Sequence, residues 1–257
     1  MKTFNIVFAG LGLLLLFFLV FPLLNLIVST DPRIMKETVS DTEVLNSIFL
    51  TLRSSLWATI FCFLLGVPLA YLLARWNFPC KSIVQGFVDL PIMIPHTAAG
   101  IALLMVYGRN FMLGNALGWL GLSFVGTEIG ISLAMAYVSL PFLVNAARDG
   151  FLTIDPKLEK VARTLGATPW QTFFKVTLPL AWRPIMSGGI MMWARGISEF
   201  GAVVILTYHP MVAPILIWER FQSYGLKYAK PVATLLILLC LVIFAFLRWV
   251  ARPKKEV

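Results

Sequence analysis

The chain has 257 residues, of which 59% are hydrophobic and only 13% charged, with a mean hydropathy of +0.86 and a formal net charge of +9. A soluble domain is about half apolar and about one-quarter charged. The composition therefore excludes an ordinary soluble enzyme or binding module and describes an integral membrane protein that crosses the bilayer several times.

Lys2 is followed by an apolar run over about Phe4–Val28. That run is long for a signal-peptide core and no small-residue cleavage site follows it, so it reads as a retained first span. Further runs at about Leu56–Ala74, Val88–Tyr107, Ile129–Ala147, Ile185–Leu206 and Pro231–Leu247 have the length needed for roughly 30 Å of hydrocarbon. The expectation is an all-α integral membrane protein, one domain over residues 1–257, with six transmembrane helices.

With the N-terminus inside, most of the 21 Lys and Arg residues fall on the cytoplasmic side: Lys2, Arg75, Lys81, Arg148, Lys157, Lys160, Arg163, Lys175, Arg183, Arg248, Arg252, Lys254 and Lys255. The positive-inside rule then puts both termini in the cytoplasm. It also accounts for much of the basic charge without nucleic acid. Cys62, Cys80 and Cys240 lie in or beside apolar runs without paired spacing and read as packing residues. His96 and His209 are too few and too far apart to suggest a metal.

In the third run, "VDLPIMIPHTAAGIAL", Pro91 and Pro95 each remove a backbone donor and bend or break a helix. Irregular backbone at membrane depth is tolerated where it is buried or lines a cavity. His96 and Thr97 follow directly, and two readings stand for them: packing residues, or lining of a path. Pro22 and Pro68 read as ordinary kinks.

The longest cytoplasmic loop, about 148–184, carries two helix starts. Asp155 caps a helix with Pro156 at its first position, and Gly166 ends it. Thr168 caps a second, with Pro169 first and Gln171 completing a capping box. Pro179 and Pro184 bracket the approach to the fifth span. Trp170, Phe173 and Phe174 on the second helix either rest on the bilayer or dock on a cytoplasmic partner.

The fifth run contains "WARGISEFGA", with Arg195 and Glu199 four residues apart on one helical face. Charges within a span are expensive and tend to be paired and functional. One reading makes them a neutralised pair that holds helices in register. The other places them, with Ser198 and Phe200, near a translocation path or its gate. Phe200 beside Gly201 is either an apolar constriction or core packing.

The segment Glu159-Lys160-Val161-Ala162-Arg163-Thr164-Leu165-Gly166, followed by Val176-Thr177-Leu178-Pro179, resembles the cytoplasmic "EAA" loop of ABC-importer permeases, with the Glu-Ala-Ala opening degraded. The third and fifth runs look like those of molybdate/tungstate permeases, with sulfate/thiosulfate permeases close behind. The resemblance covers about residue 45 to the C-terminus. It implies the type I ABC-importer permease fold in the cell membrane, a homodimer, two cytoplasmic ABC ATPase subunits and an extracytoplasmic oxyanion-binding protein. The coupling residues it implies are Glu159, Ala162, Gly166, Ala167, Thr168, Pro169 and Trp170. ATP and magnesium would belong to the partner ATPase, with no cofactor in this chain.

No phosphate loop of the Gly-x-x-x-x-Gly-Lys-Ser/Thr kind occurs, and no His-Glu-x-x-His or Gly-x-Ser-x-Gly sequence. No catalytic centre is read, so energy comes from a partner or an ion gradient. Three readings follow: an ATP-driven importer of molybdate or tungstate, the same machine for sulfate or thiosulfate, and an ion-coupled transporter using Glu199 and His96 as a proton relay. The absence of a visible internal repeat weighs against the last.

Overall fold

The structure is a computed structural model that describes residues 2–250, with side chains from 4 to 245. Arg252, Lys254 and Lys255 lie outside the described residues, as do the side chains of Lys2 and Arg248. The described residues are helical, without strands. They divide into two compact units, Met1–Asn46 with Leu216–Val257, and Ser47–Ile215.

The first unit contains α1 (Lys2–Val28), α2 (Pro32–Ser40) and α13 (Leu226–Val250), with the start of α3 (Thr42–Arg75) and most of α12 (Ala213–Tyr224). Asp31 accepts from the Arg33 amide at 2.9 Å and caps α2 ahead of Pro32. Thr30 and Thr234 hydroxyls meet at 3.0 Å and join the α1 end to α13. Arg220 of α12 donates to Asp41 Oδ2 at 2.6 Å and Glu43 Oε2 at 3.2 Å. The guanidinium bonded to Asp41 holds that carboxyl below its ordinary range.

The second unit holds the rest of α3, then α4 (Lys81–Met93), α5 (His96–Tyr107), α6 (Met112–Gly118), α7 (Glu128–Leu152), α8 (Pro156–Thr164), α9 (Pro169–Thr172), α10 (Leu178–Ile197) and α11 (Gly201–Leu206). Helix α7 is the axis of its core: Ile131, Met135, Leu143 and Phe151 are fully buried, against Ile185 and Met192 of α10 and Val203 and Leu206 of α11. Polar pairs sit a third of the way along α3, at Arg53, and at its last residue, Arg75. Arg53 Nε donates to Glu128 Oε1 at 2.7 Å, and Arg75 Nε to Glu159 Oε1 at 2.8 Å. At 1.5 Å per residue the two arginines stand about 33 Å apart along the helix, close to the thickness of a hydrocarbon core.

Four helices among the described residues are long and apolar enough to cross a membrane, at Phe4–Val28, Thr42–Arg75, Glu128–Leu152 and Leu226–Ala245. The pair α4 and α5, bent by 115° at its break, makes five if counted as one span. The break falls at Ile94–Pro95, one of the two prolines expected to cause it, while Pro91 stays inside α4. The expected span Ile185–Leu206 is not among the four, and it too is broken. Helix α10 ends at Ile197 and α11 begins at Gly201, leaving twenty and six helical residues on either side. Pro22 and Pro68 lie within continuous helices.

Two details depart from the sequence reading. Cys80 is exposed and holds a left-handed backbone (φ 66°) ahead of α4, so it does not pack as Cys62 does. Pro179 and Pro184 do not mark an exit: α9 passes through a π-helical turn, Phe173–Thr177, directly into α10. Pro179 fits there because it sits in the first turn of α10.

Candidate functional site

The two breaks meet. His96 is the first residue of α5 and Arg195 lies in the last turn of α10. Glu199 lies between α10 and α11, with only 1% of its side chain exposed. Its Oε2 is 2.9 Å from Arg195 Nη2 and 3.1 Å from His96 Nδ1. Neither approach is aligned as a hydrogen bond, so the contact is one of charge and polarity. Its Oε1 accepts the Ala202 amide at 2.8 Å and so satisfies one of the orphan donors at the start of α11.

Arg195 Nη2 also lies 2.8 Å from His96 Nδ1 and 2.9 Å from Nε2. The imidazole can accept from the guanidinium through whichever ring nitrogen carries no proton. Ser198 accepts from Arg195 Nη1 at 3.3 Å and donates to the Arg195 carbonyl at 3.0 Å. The carboxylate is thus buried and paired, while the arginine and histidine remain partly exposed (22% and 35%).

Close helix approach requires glycine here. A Cβ on Gly201 would lie 2.8 Å from His96 Cβ and 3.2 Å from the Thr97 nitrogen, and one on Gly100 would lie 2.9 Å from the Ala202 carbonyl. The starts of α5 and α11 therefore abut. The structure brings together Pro95, His96, Thr97, Arg195, Ser198 and Glu199. Pro91 is buried within α4, and Phe200 packs its partly buried ring on the apolar core.

The cytoplasmic loop folds as its caps dictate. Asp155 accepts from the Lys157 amide at 2.9 Å, and Thr168 with Gln171 forms the reciprocal capping box. Gly166 has φ +90°, a conformation in which L side chains are strained. The loop residues divide between two faces. Glu159 points inward: it is 6% exposed and held by Arg75 and by the Tyr71 hydroxyl at 3.1 Å. Arg75 also donates to the Ile154 carbonyl at 3.1 Å. Tyr71 packs edge-on against Phe173 and Phe151. Ala162 and Ala167 are half-buried. Gly166, Thr168, Pro169 and Trp170 are exposed, with Trp170 stacked on the exposed Phe174; Val161 and Leu165 of the same loop are exposed as well. Exposed large apolar side chains outside the long apolar helices are of the kind that marks an interaction site.

Three groups escaped the sequence reading. Arg75 and Tyr71, the partners of Glu159, are more than eighty residues from it in sequence. Asp89 of α4 sits in a network with Gln85 and Asn145: Asn145 Nδ2 donates to Asp89 Oδ1 at 2.6 Å, and Gln85 Nε2 donates to Asn145 Oδ1 at 2.7 Å. An ionisable residue inside an apolar run is itself a signal, and Asp89 carried it.

The profile of the family described as "Binding-protein-dependent transport system inner membrane component" matches residues 66–255. The chain belongs to this family. It is a multi-pass protein of the cell membrane. It is 45% identical over 244 residues to the molybdate/tungstate transport system permease protein WtpB of Pyrococcus furiosus, covering 94% of this chain and 93% of that one. To the protein of the same name from Thermococcus kodakarensis it is 42% identical over 250 residues, covering 96% of each. Among solved structures it resembles a chain of the bacterial alginate ABC transporter in complex with an alginate-bound periplasmic protein (TM-score 0.75, 20% identity, 98% of this chain and 95% of that one). The fold of an importer permease is thereby established.

Proposed function

We propose that this chain is the membrane-spanning subunit of an ATP-driven importer that carries molybdate or tungstate. The observation that carries the reading is the near-full-length identity to permeases named for those two anions. In the working assembly two copies form the path, with six spans each and both termini cytoplasmic. Two ATPase subunits sit beneath, binding ATP and magnesium, and an extracytoplasmic protein delivers the oxyanion.

The chain's own contribution is mechanical and electrostatic. The outward face at Val161, Leu165 and Trp170 supplies an apolar surface for the ATPase, and Glu159 holds its base against Arg75. From Pro169 through the π-helical turn to Ile197 the chain is one helical rod, about 40 Å long at 1.5 Å per residue. Trp170 lies at one end of that rod and Arg195 at the other. Movement of the docking face is therefore transmitted along the rod to the breaks at Pro95 and Ser198–Phe200, where the path opens and closes. Such a chain needs no catalytic site of its own.

The test is ATP hydrolysis by the chain reconstituted with its ATPase and binding protein, with tungstate, molybdate or sulfate added in turn. Stimulation by tungstate and molybdate but not sulfate is expected. Stimulation by sulfate alone would keep the architecture and overturn the substrate.

A further inference from the structure

We infer that Arg195, His96 and the first amides of α5 form a transient oxyanion site inside the permease, and that Glu199 occupies it as a resident anion which the passing substrate displaces. The inference deepens the proposed function and rests on it for the identity of the substrate.

Glu199 is buried almost completely, and its Oε2 lies against a guanidinium and an imidazole without an aligned hydrogen bond to either. A carboxylate oxygen in that position stands where one oxygen of a tetrahedral dianion would be received. Helical bonding in α5 starts with the Ala99 amide to the Pro95 carbonyl at 3.1 Å, and Pro95 offers no side-chain cap. The amides of Thr97 and Ala98 are therefore left to an outside acceptor, at the positive end of a twelve-residue helix. Thr97 and Ala98 are exposed residues, with the start of α11 packed beside the Thr97 nitrogen at Gly201.

The balance of charge explains why such a site would pass an anion rather than hold it. Arg195 with Glu199 is neutral, and a dianion gains only while it replaces the carboxylate. When it leaves, Glu199 returns. Binding favourable enough to enter and weak enough to release is what conduction requires.

The test measures binding apart from transport, by equilibrium dialysis of tungstate against the permease–ATPase complex in nanodiscs, with sulfate as a second probe. Wild type should bind weakly. Glu199→Gln leaves Arg195 uncompensated and keeps an oxygen for the Ala202 amide, so tungstate should bind about tenfold more tightly or better. Arg195→Gln with Glu199→Gln should return binding to background. An intact Glu199→Gln complex with wild-type affinity for both probes overturns the inference. If it gains affinity for sulfate alone, the site stands and the substrate assignment falls. Binding without any oxyanion uptake likewise refutes the proposed function and not the site. Should Glu199→Gln fail to assemble, Thr97→Cys in a Cys80→Ser background reads the same position. Tungstate must then slow alkylation of the new thiol, and an unchanged rate overturns the inference.

Discussion

Glu159→Leu isolates what holds the cytoplasmic loop in place. In the native chain the Arg75 and Glu159 side chains are only 9% and 8% exposed and lie 2.8 Å apart. Removing the carboxylate leaves a buried guanidinium with the Ile154 carbonyl as its remaining acceptor. Breaking a buried pair from one side costs about 3–5 kcal/mol, whereas replacing both partners by apolar groups is often neutral. The double variant Arg75→Met/Glu159→Leu should therefore recover most of the stability lost in the single, giving a coupling energy of several kcal/mol in a double-mutant cycle. Denaturant unfolding of the detergent-solubilised protein measures it. The proposed docking surface offers a control: Trp170→Ala, 73% exposed, should leave unfolding unchanged while reducing co-purification of the ATPase. The reasoning is refuted if the double variant is as unstable as Glu159→Leu.

Gly166→Asp forces a side chain into φ +90°, at a strain of order 1–3 kcal/mol, and should detach or uncouple the ATPase while the helices stay folded, read by pull-down and circular dichroism. Gly201→Val places a branched side chain where even a Cβ lies 2.8 Å from His96 Cβ; overpacking of about 1–3 kcal/mol should separate α5 from α11 and abolish uptake without loss of expression. Asp41 titrates below its ordinary value of 3.8 because Arg220 bonds its ionised form, so its contribution to stability is full above that pH and is lost as pH falls through the lower folded value. Arg220→Gln should flatten that acid limb of the stability curve and leave the neutral range with the same slope.

Much of the architecture was legible because local chemistry dictates it. The caps at Asp155 and Thr168, the glycine after α8 and the bend at Pro95 each depend on a few consecutive residues, and each appears where the sequence places it. The break at Ser198–Phe200 was not legible: no proline falls there, the glycine pair of that run, Gly188–Gly189, lies inside α10, and the carboxylate that caps α11 was read only as a charge. The π-helical turn likewise has no local signature in "FFKVT". Long-range partners were hidden for another reason. An apolar helix shows no periodicity that separates a lipid-facing side from a packed one, so nothing in the sequence says that His96 would meet Arg195, ninety-nine residues away. The same blindness hid that Glu159, expected among the coupling residues, is buried against Arg75 and Tyr71.

The most direct test of the central claim is tungstate uptake into proteoliposomes containing this chain and its ATPase, with binding protein outside and ATP supplied to the ATPase side. Accumulation that requires all three proteins and ATP, and that persists when a protonophore is added, is the predicted result. Uptake by the chain alone that collapses with the protonophore would contradict it and return Glu199 and His96 to a proton relay.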